Sequence, residues 1–304
     1  MNEKVATLIG MTSILLWASM VGLVKQVSLL FGASFGVALV YTVSAVILML
    51  IFRLPQFDRV SWRFLGVSSV LFVAYELCFS FAIAYSQSGV QAIEVSILNY
   101  LWPCLTILAL VLARELRFNV WVVVGLGVCL YGVIDIQMGG SFDVWRFINN
   151  AKQNPISYIL ATVGAVIWAV YCVIIKKMSG GQNLIAVYFV LTALAMWVKF
   201  WLSGDGMPSQ VDAVAMGYLL LAGAAIGLGY GAWNFGILKG RAVPMVIASY
   251  FTPVLSSVMA SMLLGADLQP SFWSGVLLVS VGSLVCYLAT SDVIAARFNT
   301  KQIK

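Results

Sequence analysis

Gln91-Ala92-Ile93-Glu94-Val95-Ser96-Ile97-Leu98-Asn99-Tyr100-Leu101-Trp102-Pro103 is the stretch that decides the fold, because its markers return 150 residues later. Ala92 falls on Ala242, Tyr100 on Tyr250 and Pro103 on Pro253; further on, Gly125 falls on Gly275 and Gly132 on Gly282. At a shift of 151, Leu16-Trp17-Ala18 matches Ile167-Trp168-Ala169, Lys25 matches Lys176 and Ser28 matches Ser179. A proline, two glycines and a tyrosine aligned without gaps argue against chance and for an internal repeat.

The setting of that repeat is lipid. Of 304 residues, 62% are hydrophobic and only 9% charged, with a mean hydropathy of +1.01. Soluble domains carry about 25% charged residues, so this much apolar surface exceeds what one water-soluble core can hide. The apolar runs are continuous and long enough for helices of about 20 residues, twice the length of barrel strands. Ten spans are expected, at 5–27, 32–53, 64–87, 90–113, 118–138, 156–176, 183–203, 213–238, 242–265 and 269–290. The first resembles a signal peptide in its basic flank, Lys4, but its apolar run is too long and no A-x-A site follows, so it is read as retained.

The expected architecture is therefore all-α, ten transmembrane helices as two inverted five-helix repeats. The first repeat covers 1–139, a periplasmic linker 140–154, the second repeat 155–290 and a cytoplasmic tail 291–304. Each half holds an odd number of spans, so the second enters the membrane from the opposite side. Inverted repeats place a binding site near the midplane and let it face either side by rocking.

The 17 basic residues sort by side. With a cytoplasmic N-terminus, Lys4, Arg53, Arg59, Arg63, Arg114, Arg117, Lys176, Lys177, Lys239, Arg241, Arg297, Lys301 and Lys304 lie inside, against Lys25, Arg146, Lys152 and Lys199 outside. That asymmetry puts both termini in the cytoplasm of a bacterial inner membrane. It also accounts for the net charge of +6 without nucleic acid.

Several chemistries are excluded. There is no histidine, and the five cysteines (Cys78, Cys104, Cys129, Cys172, Cys286) form no disulfide or metal-binding spacing. No G-x-x-x-x-G-K-[ST] loop is present, so ATP-driven transport by this chain is excluded. Asp58, Asp135, Asp143, Asp205, Asp212, Asp267 and Asp292 fall at span ends or in loops, which removes an intramembrane two-aspartate protease. The chain is read as neither an enzyme nor a cofactor protein; a scaffold is the competing class.

The candidate site is read from polar and aromatic residues at mid-depth. Pro103 and Pro253 lack an N–H and free the carbonyls of Asn99 and Ser249, so both are expected to kink their spans, shape a central cavity and serve as hinges. Trp62, Trp121, Trp145, Trp197, Trp201 and Trp273 fit the interfacial belts, whereas Trp17, Trp102 and Trp168 lie halfway along their spans with Tyr75, Tyr100, Tyr171 and Tyr250. That layer suits an aromatic or cationic ligand. Glu76 is the one ionisable group near mid-membrane, with Ile226 at the repeat-related place, and it is expected to bind a substrate ammonium or carry a proton. Glu94, nearer the outer end, reads as an entrance or surface group. Gly125 and Gly132, Gly275 and Gly282, and Gly223, Gly227 and Gly231 read as packing seams.

The stretch from Gln91 to Pro103, continuing to Ala113-Arg114-Glu115, resembles the EamA module of the drug/metabolite transporter superfamily, and Arg241-Ala242 through Pro253 to Leu264-Gly265 resembles its partner module. The run Asn99-Tyr100-Leu101-Trp102-Pro103 is similar to that of the superfamily's aromatic amino acid exporters. In the superfamily pattern the second module often carries a Glu equivalent to Glu115; here Gly265-Ala266-Asp267 stands in that place. The resemblance implies a monomeric exporter of aromatic amino acids, and of aromatic dications such as methyl viologen, through a central cavity. A broader exporter of other neutral amino acids or cationic drugs is the second transport reading.

Overall fold

A computed structural model describes residues 2–52, 60–114, 120–138, 145, 149, 152–178 and 183–289. Outside it lie Arg53, Asp58, Arg59, Glu115, Arg117, Asp143, Arg146, Ser179, the tail from 291 onward and most of the 140–154 linker. Among the described residues every regular element is an α-helix.

The helices are α1 (Glu3–Phe31), α2 (Ala33–Ile51), α3 (Trp62–Ala84), α4 (Gly89–Asn99), α5 (Trp102–Leu112), α6 (Val120–Met138), α7 (Pro155–Met178), α8 (Ile185–Ser203), α9 (Ala213–Lys239), α10 (Ala242–Ser249), α11 (Thr252–Leu264) and α12 (Pro270–Leu288). Among the described residues eight helices, counting α4 with α5 as one, are long and apolar enough to cross a membrane, which makes this a multi-pass membrane protein. Val120–Ile136 and Thr252–Leu264 are shorter apolar helices, and they occupy the places of the fifth and ninth expected spans.

Both expected kinks are full breaks. α4 ends at Asn99 and α5 begins at Trp102, with Pro103 in its first turn. The Leu101 amide bonds to the Leu98 carbonyl three residues back, a tightening that closes α4 before the proline. α10 ends at Ser249 and α11 begins at Thr252, and here the Phe251 amide bonds to Ala248 in the same way. Proline fits the first turn of the new helix because that N–H would have no partner in any case.

α1 packs along α9 and α11, α3 along α7, α2 along α8 and α9, α5 along α7, and α6 along α12. Glycine sets the closest of these approaches. A Cβ at Gly125 would stand 2.6 Å from the Gly282 carbonyl oxygen, and one at Gly132 the same distance from that of Gly275. Gly223, Gly227 and Gly231 of α9 lie against Val43, Ser44 and Phe52 at the α2 side. With lipid as solvent, this close contact replaces the hydrophobic drive. The bend between α1 and α2 needs Gly32, whose φ of +85° few side chains tolerate.

α1 is fastened near both ends. At its start the Thr7 hydroxyl accepts a hydrogen bond from the Arg241 amide at 2.8 Å. Near its other end Lys25, grouped above with the basic residues of the outer face, is buried. Its ammonium donates to the carbonyls of Ala84 (3.4 Å) and Ser86, where α3 terminates. A helix C-terminus leaves carbonyls unpaired, and a cation there answers both need and dipole. The neighbouring Gln26 amide donates to Leu263 at the end of α11, 2.7 Å away. On the same side Asn154 donates to Tyr85 and Gln91, each at 2.9 Å.

Candidate functional site

The middle of the bundle is a layer of rings around Trp168 of α7. Its indole lies 4.4 Å from the Tyr75 ring and 4.8 Å from that of Tyr171, the latter nearly parallel at 26°. Phe72 at 6.0 Å, Trp102 at 6.3 Å and Tyr230 at 6.3 Å complete its surroundings. Trp17 enters from α1 by packing on Tyr230 (5.3 Å) and Trp233 (5.1 Å). Five helices thus contribute rings to one cluster. Aromatic pairs in these tilted and edge-on arrangements are worth about 0.5–1.5 kcal/mol each beyond the area they bury.

Glu76, one residue on from Tyr75, is fully buried beside the cluster. Its Oε1 accepts the Tyr230 hydroxyl at 2.5 Å, and its Oε2 accepts the Tyr41 hydroxyl. Tyr41 also stands 2.7 Å from the Ser80 hydroxyl and stacks on Phe189. A buried carboxylate without donors is prohibitively costly. Two phenolic hydroxyls from separate helices supply them here.

The break at Asn99 opens toward the same layer. The Asn99 amide donates to the Tyr75 hydroxyl at 3.4 Å, while its Oδ1 is buried without a hydrogen-bond partner. The Trp17 indole N–H is likewise buried and unpaired. One free acceptor and one free donor at the edge of a ring-lined layer are what a zwitterionic ligand with an aromatic side chain would satisfy.

Of the residues singled out from the sequence, Trp17, Tyr75, Glu76, Asn99, Trp102, Trp168 and Tyr171 come together in this layer. Tyr100 is buried in the break after α4. Tyr250, at the matching break after Ser249, packs instead against Tyr287 of α12, at 5.7 Å. Glu94 accepts a hydrogen bond from Tyr158 of α7 at 2.9 Å, so it joins two helices. Tyr41, Phe72, Tyr188, Phe189, Tyr230 and Trp233 were not singled out. The signal that could have found Tyr41 and Tyr230 was the need of a mid-span carboxylate for hydrogen-bond donors.

The thiols form a second group. Cys104, directly after Pro103, lies 3.1 Å from Cys129 of α6, whose Sγ is 3.5 Å from the Ser283 hydroxyl of α12. Cys104 and Cys129 are free and buried in the α5–α6–α12 contact, and among the described residues no set of three or more metal-ligating groups is placed to hold an ion.

Comparison with known proteins agrees with this architecture. Residues 155–288 match the model of the EamA-like transporter family. The chain is 42% identical over 292 residues to a protein of Salmonella typhimurium (strain 14028s / SGSC 2262) named aromatic amino acid exporter YddG, covering 95% of this chain and 99% of that one. It is 41% identical over 294 residues to the protein of the same name from Escherichia coli (strain K12), with the same coverage. A solved crystal structure shares the fold at a TM-score of 0.66 and 20% identity, covering 96% of this chain and 99% of that one. The chain belongs to the EamA-like transporter family, whose members are transporters and not enzymes.

Proposed function

We propose that this protein is a secondary transporter that exports aromatic amino acids and related small amphipathic compounds. It works by alternating access through a central cavity between two inverted five-helix repeats. The observation that carries the reading is the ring layer around Trp168, joined at mid-bundle to a buried carboxylate and to unpaired polar atoms on Asn99 and Trp17. The substrate ring stacks within the layer, and its ammonium and carboxylate meet the polar atoms at the edge.

Helix pairing supports the repeat. Equating α1–α6 with α7–α12 in order, the α1–α9 contact has its counterpart in α7–α3, α1–α11 in α7–α5, and α2–α9 in α8–α3, while α2–α8 and α6–α12 each pair with their own equivalent. One backbone feature supports it as well. Arg114 after α5 and Gly265 after α11, 151 residues apart, adopt φ of +58° and +59°. In this reading the protein acts as a monomer in a bacterial inner membrane, both termini cytoplasmic. Pro103 and Pro253 are the hinges, and Ser249 and Tyr250 line the second half of the path.

The relatives' printed names support the substrate class. A broader reading, with other neutral amino acids or cationic drugs such as methyl viologen, is favoured by one feature: the Glu76 carboxylate would attract a cation held among rings. Purified protein in liposomes distinguishes them. Tryptophan and phenylalanine should cross fastest and compete with each other. Threonine or methyl viologen crossing equally fast selects the broad reading, and no flux of any of the four refutes export.

A further inference from the structure

A ring-lined pocket for amino acids does not by itself require a carboxylate sealed behind two tyrosines. Glu76 has no exposed surface, and each of its oxygens already accepts one phenolic hydroxyl. An ammonium ion would need the packing around it to open before it could make contact, whereas a proton can be handed on through the hydroxyls already there.

The hydroxyls around it are arranged for a change in proton count. In the Tyr41–Ser80 contact either oxygen can be the donor. With Glu76 ionised, Tyr41 and Tyr230 both donate to it and Ser80 donates to Tyr41. With Glu76 protonated on Oε2, its O–H donates to Tyr41, Tyr41 donates to Ser80, and Tyr230 still donates to Oε1. Two hydroxyl rotations preserve every hydrogen bond in both states. Donors fixed in place, such as backbone N–H groups, would hold the carboxylate ionised permanently.

The other titratable groups nearby do not pair with it as cations. Tyr75 of α3 accepts a hydrogen bond from Asn99, Tyr171 of α7 stacks on Trp168, and Tyr188 of α8 donates to Ser68. Lys25 of α1 is held at the Ala84 and Ser86 carbonyls, at the C-terminal end of α3 and away from Glu76. Glu94 of α4 bonds to Tyr158, and Lys199 of α8 lies over the Phe81 and Tyr85 rings.

We propose that Glu76 is the proton site that drives transport, loaded through the Ser80–Tyr41 hydroxyl pair, with Tyr230 passing its charge state to the aromatic pocket. A proton arriving at the Ser80 oxygen releases the hydroxyl proton already there to the Tyr41 oxygen, and the Tyr41 proton moves to Glu76 Oε2. One proton enters, the carboxylate gains an O–H bond and is neutralised, and Ser80 and Tyr41 each exchange one O–H bond for another, ending as neutral hydroxyls. Tyr230 is suited to report the change. Its hydroxyl is on Glu76, and its ring lies 5.2 Å from Phe189, 5.3 Å from Trp17 and 5.7 Å from Phe72. Neutralising Glu76 turns a charge-assisted bond into an ordinary one and loosens that ring.

This inference rests on the exporter reading, and the test separates the two. The wild-type protein is reconstituted in liposomes with labelled tryptophan and a pH-sensitive dye inside, with an imposed pH gradient of each sign and without one. One sign should drive accumulation, up to about tenfold per pH unit for one proton exchanged, and the dye should report proton movement on adding tryptophan. Glu76→Gln should abolish both responses, whatever its residual flux. Tyr41→Phe, which cuts the relay, should slow both responses and shift the midpoint of the pH–flux curve upward, because it also removes a donor that favours the ionised form. Tryptophan flux indifferent to the gradient, with a silent dye, overturns the proton site and leaves the exporter reading standing. A Glu76→Gln protein that still accumulates tryptophan like wild type also overturns it. Should that variant fail to fold, the wild-type dye signal and the Tyr41→Phe shift decide the matter.

Discussion

Replacing Gly125 by valine tests the seam between α6 and α12. A Cβ at that position would stand 2.6 Å from both the Gly282 carbonyl oxygen and the Cys286 sulfur. Carbon atoms settle at about 3.5–4.0 Å, so the helices must part by roughly an ångström, which already forfeits a quarter to a half of each lost contact. Overpacking of this kind costs about 1–3 kcal/mol. Valine's better helix propensity returns only a few tenths of a kcal/mol, leaving a net loss of about 2 kcal/mol. A thermal unfolding scan in mild detergent should fall by about 4–8 °C on the scale of large soluble domains. The geometry makes a sharper demand as well. A Cβ at Gly282 would stand 2.6 Å from the Gly125 carbonyl, so the two glycines guard a single gap. Once Gly125→Val has opened it, Gly282→Val should cost less, and the double variant should lose less than the sum of the singles. Full additivity, or no loss from either single, would refute the account of the seam.

Trp168→Ala removes the two closest ring pairs, at 4.4 and 4.8 Å; tryptophan flux should fall by tenfold or more in liposomes while insertion persists. Wild-type flux would mean the rings only pack. Lys25→Met leaves the Ala84 and Ser86 carbonyls without their cation, and detergent unfolding should show a loss of about 1–3 kcal/mol. On the loop after α8, hydrogen bonds from Ser34 and Ser203 and the charge of Lys199 hold Asp205 below its ordinary value of 3.8. A depressed carboxylate stabilises the fold above its unfolded value. The stability gap between wild type and Asp205→Asn should therefore be complete above pH 3.8 and vanish on further acidification, as read by unfolding at stepped pH.

What could be read from the chain alone was what lies along one helix. Pro103 and Pro253 announce breaks because a missing N–H is a local fact, and Gly125, Gly132, Gly275 and Gly282 announce close contact because a missing Cβ is one too. Partners across helices were hidden. Tyr41 and Tyr230 reach Glu76 over 35 and 154 residues of chain, and no spacing along either helix encodes that meeting. Tyr250 shows the converse. Matching it to Tyr100 gave its place in the chain but not its neighbour, Tyr287 of α12, 37 residues further along the chain.

The fastening of α1 carries a mechanical consequence. At about 1.5 Å per residue, its 29 residues make a rod of roughly 43 Å. One end is tied to the Arg241 amide, and the other to the terminal carbonyls of two different helices. In the proposed rocking cycle such a rod would swing by letting go at one end while pivoting on the other, and a state with both moorings cast off together would forfeit every one of these bonds at once.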